Sequence, residues 1–134
     1  MREPHRIRLR GPWTATATES FDESGFRPPD AQMSIPCTWR AGGWPGFAGV
    51  AIHARRFGKP RQADAVERVW LIVDTITGTG KVRLNGQDLG PIEEGVPFAF
   101  DVTDRLALRN LLEVEIEAPN DLGGITGEVS LEIR

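Results

Sequence analysis

Hydrophobic and polar residues alternate one by one in several segments of the chain, and no segment has the 3.6-residue period of an amphipathic helix. The alternation is clearest in residues 6–10, 113–117 and 128–133. An extended chain with this pattern has one apolar face and one charged face, which is typical of an antiparallel strand between a core and solvent. Further strands are predicted at residues 13–18, 32–35, 50–57, 66–76, 81–84 and 98–102.

Turn-forming residues separate these segments. Asn85-Gly86 is a strong hairpin signal, Thr79-Gly80 also predicts a turn, and residues 40–49 form a glycine-rich loop. Residues 104–110 are the only segment expected to form a helical turn, with Thr103 or Asp104 as its cap. About eight to ten short strands with frequent turns predict an all-β fold, a β-sandwich or jelly roll, formed by residues 1–134 as one domain.

Composition excludes several classes of protein. The chain has 134 residues, 40% of them hydrophobic and 26% charged, which is ordinary for a globular domain. The net charge of −3 argues against nucleic acid as a partner, and the longest apolar run, residues 69–73, is too short to span a membrane. No signal peptide is visible, and the single cysteine, Cys37, forms no internal disulfide, so a cytoplasmic location is favoured. Cys37 is expected to be a buried small hydrophobe.

Several short motifs occur in a characteristic order between residues 33 and 133. They are Ile35-Pro36-Cys37-Thr38-Trp39, Phe47-Ala48-Gly49, Arg55-Arg56-Phe57, Val82-Arg83-Leu84-Asn85-Gly86-Gln87-Asp88-Leu89-Gly90, Pro97-Phe98-Ala99-Phe100-Asp101-Val102-Thr103, Asn110-Leu111-Leu112-Glu113-Val114 and Gly123-Gly124-Ile125. Together they resemble the N-terminal sugar-binding domain of glycoside hydrolase family 2, which includes β-galactosidases and β-glucuronidases.

The resemblance implies a galactose-binding-domain-like jelly roll without catalytic residues. In that family the two catalytic glutamates lie on a separate barrel downstream, and this sequence ends at Arg134. The resemblance therefore implies a stand-alone, non-catalytic module whose partners are carbohydrate and either a glycosidase or a second copy of the chain. It implies no cofactor and is compatible with a structural calcium ion, which the sequence itself does not show.

The acidic residues support the absence of catalysis. Glycoside hydrolysis requires two carboxyl groups that face each other across a cleft. Glu93 and Glu94 are adjacent and point to opposite faces of an extended chain, whereas Glu113, Glu115 and Glu117 share a solvated face. We therefore predict no catalytic residue and no enzymatic activity for the isolated chain.

The loop of residues 39–49, here called the aromatic loop, contains the first candidate residues for binding. Trp39, Trp44 and Phe47 lie within nine residues that include several glycines, and the apolar face of a sugar ring stacks on an indole. Trp44, between Gly43 and Pro45, is predicted to be exposed and to stack on a sugar. Trp39 is a second candidate, although its place after a strand favours a buried ring beneath the loop, and Phe47 is expected to pack on the core.

Polar candidates lie elsewhere in the chain. Asn120 and Asp121 are able to bind sugar hydroxyls or a cation such as Ca²⁺, or to form an Asx turn before the last strand. Arg56 is a further candidate for a sugar contact. The arginines at positions 6, 8 and 10 form either a basic patch or cross-strand pairs with the acidic residues of 128–132 or 113–117.

Two functions remain open from the sequence. The first is a non-catalytic carbohydrate-binding module, accessory to a glycosidase, that uses Trp44, Trp39, Asn120, Asp121 and Arg56. The second is a structural or protein-interaction module that binds no sugar. Exposure of the aromatic loop is expected to distinguish the two.

Overall fold

Ten β-strands and one short 3-10 helix are found in residues 5–61 and 66–134, the part of the chain that this computed structural model describes. The strands are β1 (His5–Arg8), β2 (Trp13–Ser20), β3 (Ala31–Met33), β4 (Gly49–Gly58), β5 (Val69–Val73), β6 (Thr79–Leu84), β7 (Gln87–Glu93), β8 (Phe98–Asp101), β9 (Arg109–Ala118) and β10 (Val129–Ile133). The 3-10 helix, Thr103–Arg105, lies between β8 and β9. In the described ranges no helix is long and apolar enough to cross a membrane.

The strands form two antiparallel sheets. One sheet has four strands in the order β1-β10-β5-β8, and the other has six in the order β3-β2-β4-β9-β6-β7. The inward faces of both sheets supply one cluster of buried hydrophobic side chains. The all-β jelly-roll sandwich predicted from the sequence is therefore the observed fold.

Alternation along the strands decides which side chains enter the core. In β9, Leu112, Val114 and Ile116 are buried, while the glutamates between them lie on the outer face of the sheet. Central strand β5 is buried at four of its five positions, because β10 and β8 pair with it on either side. The apolar run of residues 69–73 is thus an inner strand of the four-stranded sheet.

The first strand pairs with the last and resolves the role of its arginines. In the β1–β10 pair, Arg6 donates to Glu132 at 2.9 Å, and Arg8 lies 3.4 Å from Glu128. The predicted cross-strand pairing is confirmed for these two arginines. The Arg8–Glu128 pair is exposed to solvent and contributes little stability, whereas Glu132 of the Arg6 pair is buried.

The structure differs from the sequence prediction at four points. Thr79-Gly80, predicted as a turn, lies inside β6, and β7 was missing from the predicted strands. The helical turn is three residues long, with Val102 at its N-cap and no side-chain cap. Cys37 is half-buried rather than fully buried, and its thiol donates to the carbonyl of Thr38.

Two connections meet at one end of the sandwich, and these are residues 21–30 between β2 and β3 and residues 34–48 between β3 and β4. Backbone hydrogen bonds fix them there, from Phe21 N–H to Ala48 O at 2.9 Å and from Trp39 N–H to Gly123 O at 2.8 Å. The aromatic loop and the Asn120-Asp121 segment are therefore neighbours in space.

Candidate functional site

The aromatic loop is packed into the end of the sandwich instead of standing open. Trp39 is buried as predicted, but Trp44 is only 2% exposed, so the prediction that its ring is exposed is wrong. Its ring packs edge-on against Phe47 at 5.2 Å between centroids, and its indole N–H donates to the carbonyl of Pro29 at 3.0 Å. The glycines of the loop let the chain fold back over these rings, and no free face of Trp44 remains for stacking on a sugar.

Trp39 is fixed by a polar contact within the core. Its indole N–H donates to Nε2 of His53 at 3.1 Å, and Nδ1 of His53 lies 3.1 Å from the carbonyl of Val114. The Val114 carbonyl only accepts, so Nδ1 carries the proton, and the indole N–H only donates, so Nε2 carries none and the ring is neutral. Burial lowers the pKa of His53 to about 4, which keeps the ring neutral at physiological pH.

Asp121 holds the aromatic loop in place. It is only 5% exposed, and its carboxylate accepts from the guanidinium of Arg40 at 2.9 Å and from the backbone N–H of Gly46 at 2.7 Å. The hydrogen bond from Arg40 and then that from Gly46 hold the pKa of Asp121 below its usual value. Both oxygens are engaged within the protein, so Asp121 acts as an internal clamp in this arrangement.

The other polar candidates are placed differently. Asn120 is exposed and its side-chain oxygen accepts from the Leu122 N–H at 3.0 Å, which is the Asx turn weighed in the sequence analysis. Arg56 is exposed near the far end of β4. Arg56 is seven residue steps along the extended strand from Gly49 at the loop, about 23 Å, so the structure does not bring Arg56 to the other candidates.

An open groove lies beside the aromatic loop, with a volume of about 670 Å³. Phe26, which is 68% exposed, and Phe21, which is 45% exposed, line it together with Trp44. The remaining lining residues are Ser20, Asp22, Pro28, Pro29, Gly43, Pro45, Gly46, Phe47, Ala48 and Pro119. We call this the aromatic groove.

Sequence reasoning missed Phe21 and Phe26. They flank a turn in which Asp22 accepts from the Ser24 N–H at 2.8 Å, a contact that lowers the pKa of Asp22. The usable signal was an Asp-Glu-Ser-Gly turn between two phenylalanines, followed by two prolines. A turn of this composition lies at the surface, so its phenylalanines have no core to enter.

Among the described residues, this end of the sandwich contains no cluster of metal-ligating side chains. Across residues 5–61 and 66–134, no group of three or more His, Cys, Asp or Glu side chains is placed to hold a metal ion. A structural calcium ion remains a prediction from the resemblance alone.

Comparisons with known proteins bear on the fold. No family profile matches the chain, and no curated protein matches it. Among solved structures, it is similar to an FMN-binding β-glucuronidase from Faecalibacterium prausnitzii L2-6, with a TM-score of 0.80, 23% identity and 97% of this chain covered. It is also similar to a β-glucuronidase from Bifidobacterium dentium (TM-score 0.79, 22% identity, 97% covered) and to a putative β-galactosidase from Bacteroides fragilis (TM-score 0.75, 18% identity, 97% covered).

The chain corresponds to only part of each of these enzymes. It spans 22%, 30% and 23% of their respective lengths. At identities below 25%, the likeness establishes the fold and leaves activity and ligands open. The resemblance to the N-terminal domain of glycoside hydrolase family 2 that the sequence motifs predict is therefore confirmed at the level of the fold.

Proposed function

We propose that the chain is a non-catalytic carbohydrate-binding module, accessory to a glycosidase, and that it binds sugar in the aromatic groove. The observation that carries the proposal is the exposed pair Phe21 and Phe26 beside the polar side chains of Ser20 and Asp22. The apolar face of a saccharide stacks on a ring such as that of Phe26, while its hydroxyl groups donate to the Asp22 carboxylate.

The size and rigidity of the groove support this function. A volume of about 670 Å³ is within the range of ligand pockets, roughly 300–1,000 Å³. The hydrogen bond from Trp44 to Pro29 joins two of its lining residues, and the clamp of Asp121 on Gly46 fixes the loop that lines it. A preformed groove loses little entropy when it binds a ligand.

The distribution of acidic residues supports a non-catalytic role. Asp22 is the single carboxylate among the described residues that line the groove. Glu113 and Glu115 lie on the outer face of the six-stranded sheet, within 3.9 Å of Arg83. Hydrolysis of a glycoside needs two carboxyl groups facing one bond, and the described part of the groove offers one.

Substitution of Phe26 tests the site. Because Phe26 is 68% exposed, Phe26→Ala is expected to preserve the free energy of unfolding and to weaken saccharide binding by about tenfold or more, measured by calorimetry against a panel of mono- and oligosaccharides. In ¹⁵N NMR spectra the indole signal of Trp44 is expected to shift with saccharide. The indole signal of Trp13, whose N–H donates to Leu9 O, serves as the internal reference.

Val96→Ala is the matched control, since Val96 is also an exposed hydrophobic residue but lies outside the groove. It is expected to leave saccharide affinity unchanged. If no saccharide in the panel shifts the Trp44 signal of the folded protein, or if Phe26→Ala binds as the parent does, the carbohydrate assignment of this groove is wrong.

A structural or protein-interaction module is the second candidate, and the burial of the predicted sugar-binding residues favours it. Trp39 and Trp44 are inside, and Asp121 is engaged by Arg40. Under this function the exposed rings of Phe21 and Phe26 contact a second copy of the chain or a glycosidase. Sedimentation of the parent and of Phe26→Ala distinguishes self-association, because the variant is then expected to remain monomeric where the parent forms dimers.

A further inference from the structure

A second groove lies at the opposite end of β4, where this strand ends and β9 begins. It has a volume of about 770 Å³, and its lining includes Arg55, Arg56, Gly58, Leu108, Arg109 and Asn110. No described residue with a carboxylate lines it. We call it the arginine groove, and it shares no lining residue with the aromatic groove.

Strand register places two of the arginines on the same face. Gly58 pairs with Arg109 and Arg56 pairs with Leu111, so Arg56 and Arg109 are diagonal neighbours on the outer face of the sheet. Diagonal neighbours in an antiparallel pair are about 7–8 Å apart. A Cβ added to Gly58 would have only the Leu108 carbonyl oxygen, at 3.9 Å, within 4 Å, so the space between the two arginines is open.

The frame of the groove is fixed by hydrogen bonds. The backbone N–H of Lys59 donates to the Leu108 carbonyl at 2.9 Å and joins the segments that bear the arginines. The buried Asn110 accepts from the Ala107 N–H and donates to the Ala107 carbonyl, both at 2.9 Å, which closes the turn before β9. The arginines therefore extend from a rigid backbone.

The charges of this groove are not balanced within the described protein. Arg55, Arg56 and Arg109 form no ion pair with a described carboxylate, whereas six other arginines do, namely Arg6, Arg8, Arg40, Arg68, Arg83 and Arg134. The guanidinium of Arg55 donates from Nη1 to the carbonyl of Arg56, and its Nε is buried without a hydrogen-bond partner. Arg55 pairs with the buried Leu112, so it begins on the face opposite to Arg56 and Arg109. Two arginines that share the outer face and have no described ion pair favour an anionic ligand there.

We propose that the arginine groove binds a tetrahedral oxyanion, as a free phosphate or sulfate ion or as the phosphate or sulfate group of a larger ligand. The guanidinium fork matches the oxygens of these groups with paired hydrogen bonds. Two guanidinium groups on one face fit a dianion better than a single carboxylate, and the open floor at Gly58 lets the anion approach the backbone between Arg56 and Arg109. This site is independent of the carbohydrate function proposed above.

The test uses ¹⁵N NMR titrations with inorganic phosphate, inorganic sulfate, glucose 6-phosphate and neutral glucose, at constant ionic strength set with sodium chloride. We expect saturable shifts at the backbone amides of Gly58 and Arg109 with the phosphate-bearing or sulfate ligands and none with glucose. Tighter binding of glucose 6-phosphate than of inorganic phosphate identifies a phosphorylated ligand as the occupant, and equal affinities identify the free ion.

The double variant Arg56→Gln/Arg109→Gln is expected to weaken oxyanion binding by roughly tenfold or more, because it removes both cations on the outer face of the groove. Arg10→Gln is the matched control for loss of one charge, since Arg10 is exposed and forms no described ion pair. Shifts that do not saturate, that sodium chloride reproduces, or that Arg10→Gln reduces as much as the double variant does would overturn the proposal. Phe26→Ala is expected to leave oxyanion binding intact, so failure of one site does not imply failure of the other.

Discussion

His53 occupies the centre of an apolar sandwich because both of its ring nitrogens are used. Nδ1 donates to Val114 O and Nε2 accepts from the indole N–H of Trp39. A proton added to Nε2 would point at another donor and would charge a ring that is 1% exposed. Burial of the ring is the physical reason that the pKa of His53 falls to about 4, and the contact with Trp39 also fits only the neutral ring.

Stability is consequently expected to depend on pH through His53. Between its unfolded pKa of 6.5 and its folded pKa of about 4, the unfolded chain binds the proton and the folded protein does not. The free energy of unfolding is therefore complete above pH 6.5 and falls as the pH drops toward 4, by about 3 kcal/mol in total. Urea unfolding at pH 7, 6, 5 and 4 measures the decrease.

His53→Gln supplies the control, because an amide retains a donor and an acceptor but does not titrate in this range. Carboxylates contribute equally to both proteins, so the difference between their pH profiles isolates the histidine. Parallel profiles for the parent and His53→Gln between pH 6.5 and 4 would contradict the assignment.

At the scale of single residues, the sequence predicted burial where it follows from a position beside a strand, and not where it depends on a distant contact. Trp39 and Phe47 pack as their positions beside strands indicated. Trp44 does not follow the prediction, because its burial depends on Pro29, fifteen residues away, which accepts its indole N–H. The engagement of Asp121 by Arg40 spans 81 positions in the chain, a contact that no local pattern reveals.

At the scale of elements, alternation predicted the strands and turn chemistry predicted one hairpin. Asn85 and Gly86 have φ values of 52° and 81°, as a tight hairpin between β6 and β7 requires. Thr79-Gly80 looked equally like a turn, but there the glycine serves a close approach between strands. A Cβ at Gly80 would lie 1.7 Å from the carbonyl oxygen of Glu115 in β9.

Gly80→Ala is therefore expected to separate β6 from β9 and to lower the free energy of unfolding by about 1–3 kcal/mol or more. Gly58→Ala is the matched control, because the nearest atom to its added Cβ would be 3.9 Å away. Urea unfolding of both variants is the measurement, with Gly58→Ala expected to match the parent. An equal free energy of unfolding for Gly80→Ala and the parent would show that β9 moves to accept the added methyl group without loss of stability, and would contradict the prediction.

At the scale of the whole molecule, the sandwich separates two surfaces of different chemistry. One end has the aromatic groove with Phe21, Phe26 and Asp22, and the other has the arginine groove. The chain has a net charge of −3, so the arginine groove is a local excess of positive charge on an acidic protein. Neither groove was predicted from the sequence, because each depends on which loops the strand order brings together.

The positions of the carboxylates across the molecule predict that the purified chain hydrolyses no glycoside. Glu132 is held by Arg6 and Arg134 at 2.9 Å each, Asp121 is held by Arg40, and Glu113 and Glu115 lie on the outer face of the sheet beside Arg83. Hydrolysis requires two carboxyl groups about 5–10 Å apart across one glycosidic bond. A panel of chromogenic β-galactosides, β-glucuronides and β-mannosides is expected to release no chromophore above the buffer rate. Turnover that copurifies with the folded chain and disappears in Asp22→Asn would contradict the prediction and would make the aromatic groove an active site.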